Sequence, residues 1–240
     1  MFVNTYKGFL IMSKVNMNTN IAKQKFETFS YNTLQRTKEK KVINPLAFSN
    51  QLREMGDYFV NKEQKEDLNK YSRRFAETLV SQKSLELAGR VYSFLIKFNK
   101  GNKKYIEEFA TNALIIAKRL HDPVHIMARA NDLKEIYKYT QLGSDKHMRV
   151  LFDEKKALNT IIKDYEGAKK RYVSLYTEMK PVERYEEKLA AVKIEIAEAL
   201  IKRNEIGAAK IELREALQMY KKMGEGPNSE KAENILKKLI

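Results

Sequence analysis

Residues 190–224, AAVKIEIAEALIKRNEIGAAKIELREALQMYKKMG, read as two antiparallel helices joined by a very short turn. Small residues stand where the two backbones must approach, at Ala197, Ala209 and Ala216, and Ile196, Leu200, Leu213 and Leu217 supply the bulk around them. A helix pair of this kind cannot bury both its faces alone, so it implies similar neighbours stacked on either side.

The rest of the chain repeats the helical period. Asn44-Pro45 is a helix start, since proline is tolerated in the first turn, and Phe48, Leu52, Met55, Phe59 and Val60 follow at helical spacing. Further amphipathic helices are expected over 65–80, over 85–98 behind a Ser84 cap, and over 103–120. They continue over 124–139, 146–164 and 182–202, with another helix within 165–180 before Pro181. A last one follows Gly226-Pro227, capped by Ser229, and should cover the open apolar side of the 190–224 pair. No run alternates apolar and polar letters for long enough to argue a strand. The class is therefore all-α, as an α-solenoid of antiparallel helix pairs or, alternatively, an irregular helical bundle. Residues 1–44 read as a basic, flexible or weakly helical arm, 45–84 as an N-terminal helical pair, and 85–240 as the repeats, closed by a capping helix over 229–240.

Three pairs, within 85–120, 126–164 and 191–223, each end near an Ala-Leu step, at Ala113-Leu114, Ala157-Leu158 and Ala216-Leu217. In the last pair Ile196, Ala197, Leu200, Ala209, Leu213 and Ala216, with a turn at Arg203-Asn204-Glu205, resemble the small and large positions of a tetratricopeptide repeat. The pattern departs from that family at Lys193, which stands at the tryptophan-like position, at Pro227, which is displaced from the repeat end, and in the longer turn around Gly143. What the resemblance implies is a right-handed, TPR-like α-solenoid whose concave groove binds a peptide or helix of another protein. On the last pair the expected groove residues are Lys193, Arg203 and Asn204, whose side chains the packing does not call for.

Composition narrows the function classes. The 240 residues carry a net charge of +15 and are 43% hydrophobic, with Gly and Pro scarce at 9 and 4, a mix suited to long helices around a sizeable core. The charge favours an acidic protein or peptide, or nucleic acid, as partner. Cysteine is absent, which removes disulfides, thiolate metal sites and a cysteine nucleophile, and fits a cytoplasmic protein. No segment approaches the roughly 20 apolar residues that cross a bilayer, the N-terminus makes a poor signal peptide, and Met12 would also serve as a start.

Chemistry-bearing motifs are sparse. His121 and His125 are four apart, but Pro123 lies between them, and His147 is the third histidine, so neither a metal nor another cofactor is expected. Phosphate loops, dinucleotide fingerprints and nucleophile elbows are missing, and no catalytic residue is assigned. The chain reads as a non-enzymatic protein-interaction scaffold or adaptor. The alternative is a nucleic-acid-associated protein using the basic arm and the cluster Lys163, Tyr165, Lys169, Lys170, Arg171, Tyr172 and Tyr176, whose tyrosines share a helical face beside cations. Lys97, Lys100, Lys103 and Lys104 around Gly101 form a second basic group suited to phosphate contacts.

Overall fold

The computed structural model describes residues 3–59, 62–173, 179–224 and 226–239. Every regular element among them is an α-helix. The chain divides into two compact units, Met1–Gly101 and Asn102–Ile240.

The first unit holds α1 (Val3–Lys38), α2 (Pro45–Asp57), α3 (Lys62–Ser81) and α4 (Leu85–Phe98). These four form a ring, in which α1 packs on α2 and α3, and α4 closes against the same two. Asn44 starts α2 as the sequence expects, its side-chain oxygen accepting from the backbone N–H groups of Leu46 and Ala47. Phe26, Phe29, Phe48 and Phe75 meet in the core with centroid separations of 5.5 to 6.3 Å. Gly56 gives room where α2 approaches α4, because a Cβ there would lie 2.9 Å from the Phe94 ring and the ring would have to shift.

That aromatic core corrects the reading of residues 1–44. The segment expected to be a flexible or weakly helical arm is helical over Val3–Lys38, and Ala22, Phe26 and Thr33 of that helix are buried. The spacing 22, 26, 29, 33 is a helical stripe, diluted in the sequence by the Asn, Thr and Lys residues between its members. The pair expected over 45–84 also divides differently, since α2 and α3 find their main partners in α1 and α4. The expected pair 85–120 falls across the two units, α4 in the first and α5 in the second.

The second unit contains α5 (Lys103–Arg119), α6 (Pro123–Thr140), α7 (Asp145–Lys163), α8 (Tyr165–Val173), α9 (Val182–Lys202), α10 (Ile206–Met223) and α11 (Pro227–Lys238). Packing is sequential: α5 on α6, α6 on α7, α7 on α9, α9 on α10 and α10 on α11, with α8 set against α6 and α7. The turns at 120–122, 141–144 and 203–205 are only a few residues long, so the helices they join run antiparallel. The described residues are all-α, and this unit is a series of antiparallel helix pairs packed in chain order.

The short turns have a common chemistry. After α5 and α9, His121 and Asn204 adopt left-handed conformations with φ of 52° and 63°. In each case the residue's own amide and the next one turn back on the helix end, as Asn204 N–H to Ile201 O and Glu205 N–H to Leu200 O, at 2.9 Å each, which satisfies carbonyls the helix leaves open. Lys83 does the same between α3 and α4. The following helices α5, α6 and α7 start on side-chain caps from Asn102, Asp122 and Ser144. At the α9–α10 interface Ala197, Ala209 and Ala216 are fully buried, as are Ile196 and Leu213. The last helix begins at Pro227, with Ser229 buried inside its first turn, and packs Ile235, Leu236 and Leu239 against the core of this unit.

Candidate protein-docking groove

A ladder of ion pairs joins successive helices of the second unit. At its centre Glu154 of α7 is completely buried between two lysines, Lys134 of α6 at 3.1 Å and Lys188 of α9 at 3.0 Å. Lys134, itself 5% exposed, also reaches Glu195 of α9 at 2.8 Å. Burial alone would lower the Lys134 pKa, but the carboxylates of Glu154 and Glu195 outweigh it and hold the ammonium above its ordinary value. A parallel rung places Lys193 of α9 between Glu212 and Glu215 of α10, with Lys155 of α7 on Glu212 at 2.5 Å. Burial of Lys193 is likewise overcome, by its bonds to Glu215 and Glu212, and its pKa is raised.

This rung corrects the expectation for Lys193. Its side chain is buried at 6% exposure and belongs to the α9–α10 packing, so it does not line an open groove. Arg203 is exposed but engaged, donating to Asp145 at 2.7 Å, to Glu205 at 2.6 Å and to the Gly143 carbonyl at 3.3 Å. These carboxylates hold the Arg203 guanidinium above its ordinary pKa and, reciprocally, the Asp145 carboxyl below its own. Asn204 is the left-handed stop of α9. All three residues therefore shape the pair, and none of them borders the recess described next.

Between the N-terminal halves of α6 and α9 lies a groove of about 800 Å³. Val124, Met127 and Ala128 form its α6 side, Tyr185, Lys188 and Ala191 its α9 side, and Met179 to Pro181 one edge. Lys180, Arg184 and Lys188 stand among its apolar residues, with Glu187 and Asn228 as the other polar lining residues, so cations outnumber the one carboxylate. Arg184 pairs with Glu187 at 2.8 Å on the surface, while Lys188 is tied from beneath to Glu154. The groove is thus braced by the same ladder that fixes the spacing of α6, α7 and α9. Its residues escape sequence reasoning because Met127, Tyr185 and Ala191 carry no letter that separates a groove from a core.

The basic cluster is only partly brought together. α7 stops at Lys163, and α8 starts anew at Tyr165, whose hydroxyl donates to the Lys180 carbonyl at 2.8 Å and whose ring lies 6.3 Å from that of Tyr185. Lys169 lies over the Tyr165 ring at 6.0 Å, and Lys169 and Lys170 are exposed. Tyr165 is thus an anchor of α8 beside the groove, while Lys163 sits at the preceding helix end. Arg171 and Tyr172 lie on α8, and Tyr176 falls outside the described residues. Of the other basic group, Lys97 and Lys100 belong to the first unit, and Lys103 and Lys104 start α5 in the second.

The histidines serve the turns. His125 bonds Asp122 through Nδ1 at 2.5 Å; burial opposes ionisation of Asp122, but this bond and the His125 charge hold its carboxyl below the ordinary value. His147 is buried, and its Nδ1 accepts from the Gly143 N–H at 3.2 Å. Among the described residues no three or more His, Cys, Asp or Glu side chains cluster in a way that could hold a metal ion. Burial pushes the His147 pKa below its usual 6.5, so the folded state binds the proton less readily than the unfolded state does. Stability from this site is therefore complete above pH 6.5 and falls as the pH drops through the depressed folded value. In urea titrations between about pH 7 and pH 5, the wild type should lose stability more steeply than His147→Gln; equal slopes would show that His147 carries no such linkage.

The class of protein that this geometry defines is an all-helical, repeat-like one. No family model matches the chain, and no curated protein matches it. Among solved structures it is similar over 85% of its length to 92% of BtubC (BKLC) from P. vanneervenii, at 10% identity and a TM-score of 0.31. It is similar over 88% of its length to 93% of the DHF119 filament chain, at 15% identity and a TM-score of 0.23. Among the described residues no helix is long and apolar enough to cross a membrane.

Proposed function

We propose that this protein is a non-enzymatic interaction scaffold that holds a segment of another protein in the groove between α6 and α9. The observation that carries the reading is the groove itself, formed by the first helices of two successive antiparallel pairs, with Lys180, Arg184 and Lys188 among its apolar lining residues. Apolar lining residues supply affinity through burial, and charges select the partner and speed encounter. The excess of cations favours an acidic segment with one or two large apolar side chains.

The test is a double charge reversal, Lys180→Glu with Arg184→Glu, at two exposed positions. Partner recovery by affinity capture should drop at least tenfold, while the thermal midpoint changes by no more than about 2 °C, as for surface substitutions away from structural features. Recovery of the same partners at wild-type yield would contradict the proposal.

A further inference from the structure

The first unit carries a recess of its own, with a different chemistry. It lies between α1 and α2 and encloses about 850 Å³. Its walls present the amides Gln24, Asn32, Gln35 and Gln51, the hydroxyl of Thr28, and the cations Lys25 and Arg36. Tyr31, 63% exposed, is outside the wall itself but follows Gln24 and Thr28 and precedes Gln35 at helical spacing on α1, which places it at the recess edge. Tyr58, 40% exposed, holds the Lys25 ammonium 4.0 Å from its ring centroid. The scaffold beneath is rigid, because Phe29 of the wall stacks on buried Phe48 at 5.5 Å.

Charge is concentrated on the same part of the chain. Residues 1–101 hold 18 Lys and Arg against 9 Asp and Glu, whereas residues 102–240 hold 28 against 22. Within residues 1–44 the ratio is eight to two, and Lys38, Lys40 and Lys41 continue the basic line past Arg36 into the turn before α2. Glu54 is the one acidic residue in the wall.

We propose that this recess binds single-stranded nucleic acid. Amide side chains offer donors and acceptors together, which suits the edges of unpaired bases, and an exposed tyrosine face offers a stacking platform. The lysines and Arg36 then meet the phosphates. Three aliphatic or aromatic side chains, Ile21, Phe29 and Met55, stand in this wall among four amides and two cations, so polar recognition has the larger set of side chains to work with. Duplex bases are already stacked on one another and have no face to give Tyr31.

The experiment is fluorescence anisotropy on the full chain with labelled oligouridylate, oligothymidylate and RNA duplex of about 12 nucleotides, each titrated with salt. Both single strands should bind more tightly than the duplex, with log Kd rising linearly in log salt, and the ratio of the two single strands reports whether a 2′-hydroxyl is read. Tyr31→Ala should weaken single-strand binding by about tenfold without altering the salt slope, since stacking releases no counterion. Lys25→Gln with Lys38→Gln should lower the slope by about one to two. The proposal is overturned by an absence of binding at low salt, by binding indifferent to these variants, or by preference for duplex. It is also overturned by binding lost in Lys169→Gln with Lys170→Gln, which would place the site on α8, or by equal affinity for polyglutamate, which would make the recess a generic site for acidic chains.

Discussion

Replacing Glu154 with alanine should destabilise the second unit by about 3–5 kcal/mol. The carboxylate is completely buried, and its removal strands the Lys134 ammonium, 5% exposed, with Glu195 as its remaining ion-pair partner. Taking one charge out of a buried pair costs more than the pair contributes, because the survivor keeps its desolvation penalty. The double variant Lys134→Met with Glu154→Leu removes both buried charges and should recover much of the loss, since Glu195 and Lys188 are 22% and 33% exposed and can turn to water. Urea denaturation of the three proteins decides it. A Glu154→Ala variant within about 1 kcal/mol of wild type would show that the ladder is not what fixes α6, α7 and α9.

Leu213→Ala should cost about 2–5 kcal/mol, the range for a fully buried leucine whose cavity its neighbours cannot close. Leu213 stands between Ala209 and Ala216 on α10, both fully buried, and neither methyl can extend into the space a lost isobutyl group would leave. Ala216→Leu perturbs the same interface in the opposite sense and should cost about 1–3 kcal/mol by overpacking. Ile211, on α10 and 56% exposed, is the control: Ile211→Ala should remain within about 0.5 kcal/mol of wild type. Denaturant midpoints that order the three variants differently would mean that the α9–α10 contact is not made through the alanine face.

These two predictions also mark what the sequence discloses. The alanine face at 197, 209 and 216 is legible because small and large letters alternate at helical spacing in both halves of one pair, and the turn at 203–205 lies between them. Glu154 was hidden for the opposite reason. Its neighbours Lys155 and Lys156 make the stretch look like a solvated face, although His147, Leu151, Glu154, Leu158 and Ile161 form one buried stripe of α7. A charged letter on a core stripe was the available signal, and the same holds for Lys134 on α6 and Lys193 on α9. Lys193 stands on the buried stripe of α9, so its side chain is one that the packing does use, contrary to the expectation for a groove residue. The N-terminal helix was missed because Ala22, Phe26, Phe29 and Thr33 are too few, among many polar residues, to outweigh composition. Packing against Phe48 and Phe75 from distant parts of the chain fixes it, and no local window contains that contact.

The proposed groove could not be read from letters at all. Met127 and Ala191 are half-buried residues on two helices more than sixty positions apart, and they face a common space only after α6 and α9 are set side by side by α7. The ladder and the groove are linked through Lys188, which spans from buried Glu154 to the groove lining. A partner carboxylate there would meet a lysine already held in place, with little ordering cost on binding.

The most direct test of the account is site-specific photo-crosslinking. A photoreactive amino acid placed at Met127, on the groove wall, is compared with one at Ile211, exposed on α10 and away from the residues that line the groove. The account predicts that a captured protein partner crosslinks from position 127 and not from position 211, and that the crosslink is lost when Lys180 and Arg184 are both changed to glutamate. Crosslinking from 211 with none from 127 would contradict it.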